Sequence, residues 1–149
     1  GRPRSLSEFG LVSFFYLRRV AVGGEPISLY RYENDVIRPL GEERVHFVLN
    51  CMAVSCPRLA RKPFQAATLE AALQAEAGRF FGEPRNVFVD PARRVVGLSA
   101  ILQFYAEDFL AKASSLSGYA SRYIAIPIPE DYPVEFFAYD WRVATQALP

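Results

Sequence analysis

The segment Val45 to Pro57 (VHFVLNCMAVSCP) limits the fold more than any other. Its first five residues are apolar except for His46, and they run into Asn50, two cysteines and a Cys56-Pro57 step. A short apolar run bounded by turn residues reads as a buried strand, so the pattern predicts a central strand over about 45–50 that leads into a cysteine-bearing turn. Strand alternation would send Val45, Phe47 and Leu49 to one face and His46, Val48 and Asn50 to the other. Both faces are largely apolar, which predicts a strand covered on both sides. His46, the only histidine of the chain, is then a buried or half-buried imidazole in line with Asn50.

The turn raises a chemical expectation. Proline suits the first position of a helix, where its missing N–H has no partner to lose. If Pro57 to Ala60 begins a helical turn, Cys56 is its N-cap, and its sulfur sits where backbone N–H groups and the helix dipole stabilise a thiolate. Arg58 and Arg61 act in the same direction. Cys51 leaves the strand opposite His46, beside Met52, and reads as core. A Cys56–His46 dyad demands that the turn curl back, because His46 lies about 13 Å below Asn50 on an extended strand and a nucleophile–base pair needs about 3 Å. Asn50 is nearer the turn and is placed to orient a bound group or the thiol. Other readings stand beside this one: a satisfied core histidine, and cysteines acting as small hydrophobes. A Cys51–Cys56 disulfide in an oxidising compartment is a further reading. A zinc site from His46, Cys51 and Cys56 is disfavoured, since strand parity separates the first two and a fourth ligand is not evident. No metal or cofactor is expected.

The remainder of the chain supports a packed domain around this segment. With 149 residues, 51% of them hydrophobic, the chain suffices for one domain with a single core. A net charge of +1 gives no general reason to expect nucleic acid or an anionic membrane as partner. The basic clusters Arg18-Arg19, Arg58 to Lys62 and Arg93-Arg94 read as solvated faces or turns. No apolar run reaches the roughly 18 residues of a membrane span. No signal peptide is visible, but the chain opens on Gly1 rather than Met, so a removed targeting segment stays open as a reading.

Residues 1–7 are expected to be disordered. Phe9 to Val22, Gly23-Gly24-Glu25-Pro26 and Ile27 read as strand, turn and return strand, with Phe9 to Leu17 open to a helical reading. Ser28 suits the N-cap of a helix carrying Leu29, Tyr32, Val36 and Ile37, stopped by Pro39 and Gly41. Thr68 opens a second helix to about Phe81, and Ser99 a third over about Ala100 to Ala113. Between them, Asn86 to Leu98 reads as a hairpin turning at Asp90 to Arg93. Tyr119 to Ile126 carries no decisive pattern, Pro127 to Pro133 is a loop, and Val134 to Ala138 alternates as a last strand. The expected class is α+β: a single domain, mostly antiparallel sheet around the 45–50 strand, the hairpin over about 86–98, and three main helices.

Several motifs in this order resemble a known family. They are Ser28-Leu29 with Ile37-Arg38, then His46 to Cys51, then Ser55-Cys56-Pro57. Asn86-Val87, Leu98-Ser99, Tyr105 with Asp108-Phe109, and Tyr139-Asp140-Trp141 follow. Together they resemble the family of domain of unknown function 547 (DUF547), over about Ser28 to Trp141. The family's usual upstream Trp-Ile-Asn-x-Tyr-Asn type segment has no match in Gly1 to Val22. The resemblance thus implies a single domain lacking the family's N-terminal segment, which would then be a partner for this chain. Phe104 stands where the family often has Trp. The resemblance implies an accessory domain, often in exported bacterial proteins, without an established activity. It places His46 and Cys56 on motif positions.

The candidate catalytic residues are therefore Cys56 as nucleophile, His46 as base, and Asn50 or Asp108 as orienting group, acting on peptide-like or acyl substrates. Asp108 has a competing role as the ion-pair partner of Arg38. Arg38, Ser55 and Tyr105 are candidate contacts for a small-molecule or peptide-like ligand, although Arg38 is equally suited to a structural ion pair. Asp140 and Asp90 are read as local backbone-fixing residues. The competing functions are a non-catalytic binding or interaction domain and a redox role for Cys51 with Cys56.

Overall fold

A computed structural model describes residues 12–144 of the chain. The expectation of disorder over residues 1–7 and the first part of the Phe9–Leu17 segment lie outside the described residues. Val12–Leu17 forms a short π-helix, closed by Arg18 N–H donating to the Ser13 carbonyl at 3.0 Å. Strands β1 (Arg19–Val22) and β2 (Glu25–Ser28) follow as an antiparallel hairpin with Arg19 opposite Ser28. Gly23 and Gly24 turn it with positive φ angles of 61° and 90°, which glycine adopts without a steric penalty.

Ser28 caps the next helical stretch as expected, its Oγ accepting from Arg31 N–H at 3.2 Å. The stretch is α1 (Leu29–Arg31), then a π-helical run over Tyr32–Ile37 and a 3-10 turn over Arg38–Leu40. Gly41, at φ 71°, ends it.

The predicted strand over 45–50 is overturned here. Glu43–Phe47 is a 3-10 helix, opened by Glu42, whose carboxylate accepts from Arg44 N–H. An apolar run this short does not distinguish a buried strand from a buried helical turn, because both hide every side chain. The two faces predicted for His46 and Phe47 collapse with it: both side chains are buried, His46 against Tyr105 and Phe109, Phe47 among Phe80, Phe81 and Phe109.

The long helix α2 (Leu69–Phe81) buries Leu73, Ala77, Phe80 and Phe81. Thr68 stands at its N-cap position without a side-chain capping bond. Strands β3 (Val87–Asp90) and β4 (Val95–Leu98) form the expected hairpin, and Asp90 Oδ1 accepts the N–H groups of Ala92 and Arg93 across its turn. β5 (Val134–Phe136) joins β4 in parallel, pairing Leu98 with Phe136, so β4 is the central strand of this three-stranded sheet.

The expected helix over 100–113 is divided. Ser99 Oγ caps α3 (Ala100–Phe104), the chain breaks at Tyr105 (φ −117°, ψ 31°), and α4 (Ala106–Leu110) restarts. A short helix α5 (Leu116–Ala120) forms ahead of most of the undecided Tyr119 to Ile126 stretch, sharing only Tyr119 and Ala120 with it. The core joins Phe47, α2, β4, α3, α4 and α5 around the fully buried Tyr119. The class is α+β in a single domain, with two small sheets among the described residues in place of one larger sheet.

Candidate functional site

The 3-10 helix and the break at Tyr105 together build the histidine's surroundings. The His46 ring stacks on Tyr105 with centroids 3.7 Å apart and meets the edge of Phe109 at 5.6 Å. Its Nε2 lies 2.7 Å from Asp108 Oδ2. Asp108 is held in turn by the Arg38 fork, Nε donating to Oδ2 at 2.8 Å and Nη2 to Oδ1 at 3.0 Å. Arg38 Nη1 donates to Asn34 Oδ1 at 2.8 Å, which completes the chain. The two readings of Asp108 therefore coincide: one carboxylate pairs with Arg38 and orients the imidazole.

The hydrogen bond from Arg38, ahead of burial, holds Asp108 below the ordinary carboxylate range. Burial pulls the His46 pKa down against the raising effect of Asp108. A neutral ring beside an ionised carboxylate carries its proton on Nε2, so Nδ1 keeps a lone pair. That Nδ1 is buried and has no hydrogen-bond partner among the described residues. A buried polar atom without a partner is rare in folded proteins.

The segment after the 3-10 helix forms a clamped loop rather than a strand end. Asn50 Nδ2 donates to the Pro57 carbonyl at 2.6 Å, and its Oδ1 accepts from Met52 N–H at 2.8 Å. Both ends of the Asn50 amide thus hold the loop. Met52 adopts φ 69°, a left-handed conformation that bends the chain between the cysteines. Ser55 Oγ accepts from Asp140 N–H at 2.9 Å, and Ala53 bridges Val143, so the C-terminal segment lies against the loop. Residues 57–60 form no helix, which removes the N-cap and dipole argument for Cys56. Arg58 instead pairs with Glu83 at 2.6 Å.

The loop brings the two sulfurs to 3.1 Å, both as free thiols. Cys51, expected as core, is half-buried, whereas Cys56 is 5% exposed. Cys56 Sγ accepts the Cys51 N–H at 2.9 Å, and Tyr139 Oη lies 3.5 Å from Cys51 Sγ. The pair holds its protons cooperatively. The hydrogen bond between the two sulfurs pulls the Cys51 thiol down to about 6, while the same contact and burial push Cys56 up. No hydrogen bond joins either sulfur to the His46 ring.

A single cleft of about 560 Å³ is lined by His46, Asn50, Cys51, Cys56, Tyr105 and Tyr139 among others. Of the sequence candidates, His46, Asn50, Cys56 and Tyr105 reach it. Asp108 stands behind His46, Arg38 has its fork filled by Asp108, and Ser55 fastens the C-terminal segment. Sequence reasoning missed Glu33, which accepts from Tyr105 Oη at 2.7 Å, and the aromatic lining from Tyr30, Phe104, Tyr139 and Trp141. The Tyr-Asp-Trp motif at 139–141 was the available signal for that lining. Among the described residues no three His, Cys, Asp or Glu side chains group to hold a metal ion, and no helix is long and apolar enough to cross a membrane.

A family model described as "Protein of unknown function, DUF547" matches residues 5–81, just over half of the chain. The match takes in Arg38, His46, Asn50, Cys51, Ser55 and Cys56, while Tyr105, Asp108 and the 139–141 motif lie beyond it. No curated protein and no solved structure matches the chain.

Proposed function

The chain belongs to the DUF547 family, and from that premise and the geometry of its cleft we propose a thiol-dependent hydrolase or transferase acting on peptide-like or acyl substrates. One observation carries the reading. An imidazole held by Asp108 at Nε2 and unpartnered at Nδ1 borders the same cleft as a pair of thiols 3.1 Å apart.

The half-buried Cys51 is the sulfur better presented to a substrate, and its 3.1 Å contact with Cys56 Sγ lowers its pKa. This reverses the roles that the Cys56-Pro57 step suggests. In the first step His46 Nδ1 takes the thiol proton and the sulfur bonds to the acyl carbon. The bond from that carbon to the leaving nitrogen or oxygen breaks, and the leaving group takes the proton from Nδ1. Water or an amine then attacks the thioester, gives its proton to Nδ1, and the carbon–sulfur bond breaks to restore the thiol. Asp108 keeps Nε2 protonated throughout, so that Nδ1 is the nitrogen that exchanges protons.

Iodoacetamide alkylation followed against pH, with the modified cysteine located by mass spectrometry, tests the reading. Modification should rise with an apparent pKa near 6 at Cys51. A dominant reaction at Cys56 would return the nucleophile to that residue, and ordinary thiol behaviour at both would sink the proposal. A panel of acyl esters, thioesters and peptide amides should be turned over by the natural chain and not by the Cys51→Ser or His46→Ala variants.

The short sulfur–sulfur contact favours a second reading, a redox role. A disulfide-bearing oxidant would remove two electrons and two protons as Cys51 and Cys56 join, and would itself leave as two thiols. Equilibration in glutathione buffers of graded ratio, with the fraction of disulfide counted by mass, tests it. Absence of a reversible Cys51–Cys56 bond across the series would remove this role.

A further inference from the structure

The charge and ring content of the cleft point to the kind of substrate it takes, an inference that rests on the cleft being the site of the proposed chemistry. Among its described lining residues there is no lysine or arginine, and Glu33 supplies the one carboxylate. Asp108, behind the lining, is already balanced by the Arg38 fork. His46 is kept neutral by burial, and ionisation of Cys51 would add a further negative charge. The cleft therefore presents net negative charge to an entering ligand.

Aromatic faces accompany that charge. Tyr16 and Tyr30 stack with centroids 4.2 Å apart, and both are substantially exposed. Tyr30 and Glu33 are three residues apart on the helical stretch after β2, a spacing that puts them on one face. Phe104, Tyr139 and Trp141 form a second aromatic group, with Tyr139 and Trp141 centroids 4.4 Å apart. A carboxylate beside exposed aromatic faces, in a cavity whose described lining holds no lysine or arginine, is complementary to an alkylammonium group: the ring quadrupoles and the carboxylate both attract positive charge. Glu33 Oε1 is fixed by the Tyr105 hydroxyl, and among the described residues Oε2 has no hydrogen-bond partner.

We infer that the cleft selects peptide-like substrates bearing a cationic alkylammonium group, held by Glu33 and the Tyr16–Tyr30 pair while the acyl carbon meets the cysteines. Anionic substrates are disfavoured by the same arrangement.

Trp141 is the only tryptophan of the chain and borders the cleft, so its fluorescence reads binding there directly. The natural chain would be titrated with benzyltrimethylammonium and, separately, with p-toluenesulfonate, which differ chiefly in charge. The ammonium probe should bind about tenfold more tightly, a margin that cation–aromatic and carboxylate contacts of ordinary strength supply. Glu33→Gln keeps an acceptor for Tyr105 and should reduce the preference to about threefold or less, and Tyr30→Leu should weaken the ammonium probe alone. A further titration compares acetyl-phenylalanyl-lysine amide with benzylammonium. Tighter binding of the dipeptide supports a charge carried on a peptide-like substrate, and tighter binding of the free amine overturns that part of the inference.

Equal or tighter binding of the sulfonate overturns the inference, as does an ammonium response that neither variant alters or that is absent altogether. The readout involves no turnover. Inert thiols with the cation preference intact would count against the proposed chemistry while supporting this inference, whereas reactive thiols without the preference would overturn the inference alone.

Discussion

His46 donates through Nε2 to Asp108 while burial keeps its ring neutral, and these two effects can be separated because the chain has no other histidine. Burial sets its folded pKa below the unfolded value of about 6.5, so the unfolded chain binds the proton more readily. The stability that His46 contributes is complete above that value and is lost as pH falls through the folded one. Asp108 behaves alike at lower pH: its depressed folded pKa gives stability above about 4 that is lost on acidification. The urea midpoint should therefore fall between pH 7 and pH 5, more steeply in the natural chain than in His46→Gln. An equal slope in both would place the acid sensitivity elsewhere. Asp108→Asn tests the positioning role without an assay of turnover. Nitrogen NMR of the histidine should show the single Nε2–H tautomer give way to a mixture, and an unchanged tautomer would deny Asp108 that role. Where a substrate is turned over, kcat should drop on the order of 100-fold, a typical contribution of a general base, with little change in KM.

At the scale of elements, short interruptions bring distant residues into the site. The break at Tyr105 divides one helix into two and lets residues three apart meet the same imidazole, Tyr105 by stacking and Asp108 by hydrogen bond. The central strand β4 has an equally local requirement. A Cβ on Gly97 would stand 2.6 Å from the Phe137 ring, which lies over the strand. Phe137 N–H also donates to the Leu98 carbonyl at 2.9 Å, and the chain then runs on to Tyr139 and Trp141. Gly97→Ala should displace that ring at a cost of about 1–3 kcal/mol, the usual penalty of overpacking, and should change Trp141 emission. A change under about 0.5 kcal/mol, the range of a neutral surface substitution, would mean that the ring moves aside freely. Likewise, Ser28→Ala removes the cap of the stretch that carries Glu33 and Arg38. It should cost about 1 kcal/mol by urea unfolding.

Across the whole molecule, Phe47 links the 3-10 helix to the core, in contact with Phe80, Phe81 and Phe109 while only 1% exposed. Phe47→Ala should cost about 3–5 kcal/mol, a large part of the 5–15 kcal/mol that holds a typical domain together. Calorimetry should show the melting temperature fall steeply, and a small fall would mean that the aromatic core closes over the gap. His46 adjoins Phe47, so the same element supplies the core and the site. The elements that local chemistry specifies were legible in the chain itself: the turn at Gly23-Gly24, the Ser28 and Ser99 caps, the hairpin around Asp90, and helix α2. Their signals are capping groups, backbone freedom and periodicity, which act between near neighbours. His46 and the cysteine pair were legible as chemistry, though not as geometry. The 3-10 form of Glu43–Phe47, the pairing of Asp108 with Arg38 seventy residues away, and the fold-back of the 50–57 loop against the C-terminal segment depend on long-range contacts. So the strand-and-turn reading of Val45 to Pro57 kept its residues and lost its shape: apolar composition determined that this segment would contribute to the core, and only tertiary packing decided that His46, Phe47, Ala53 and Cys56 would be among the side chains to enter it.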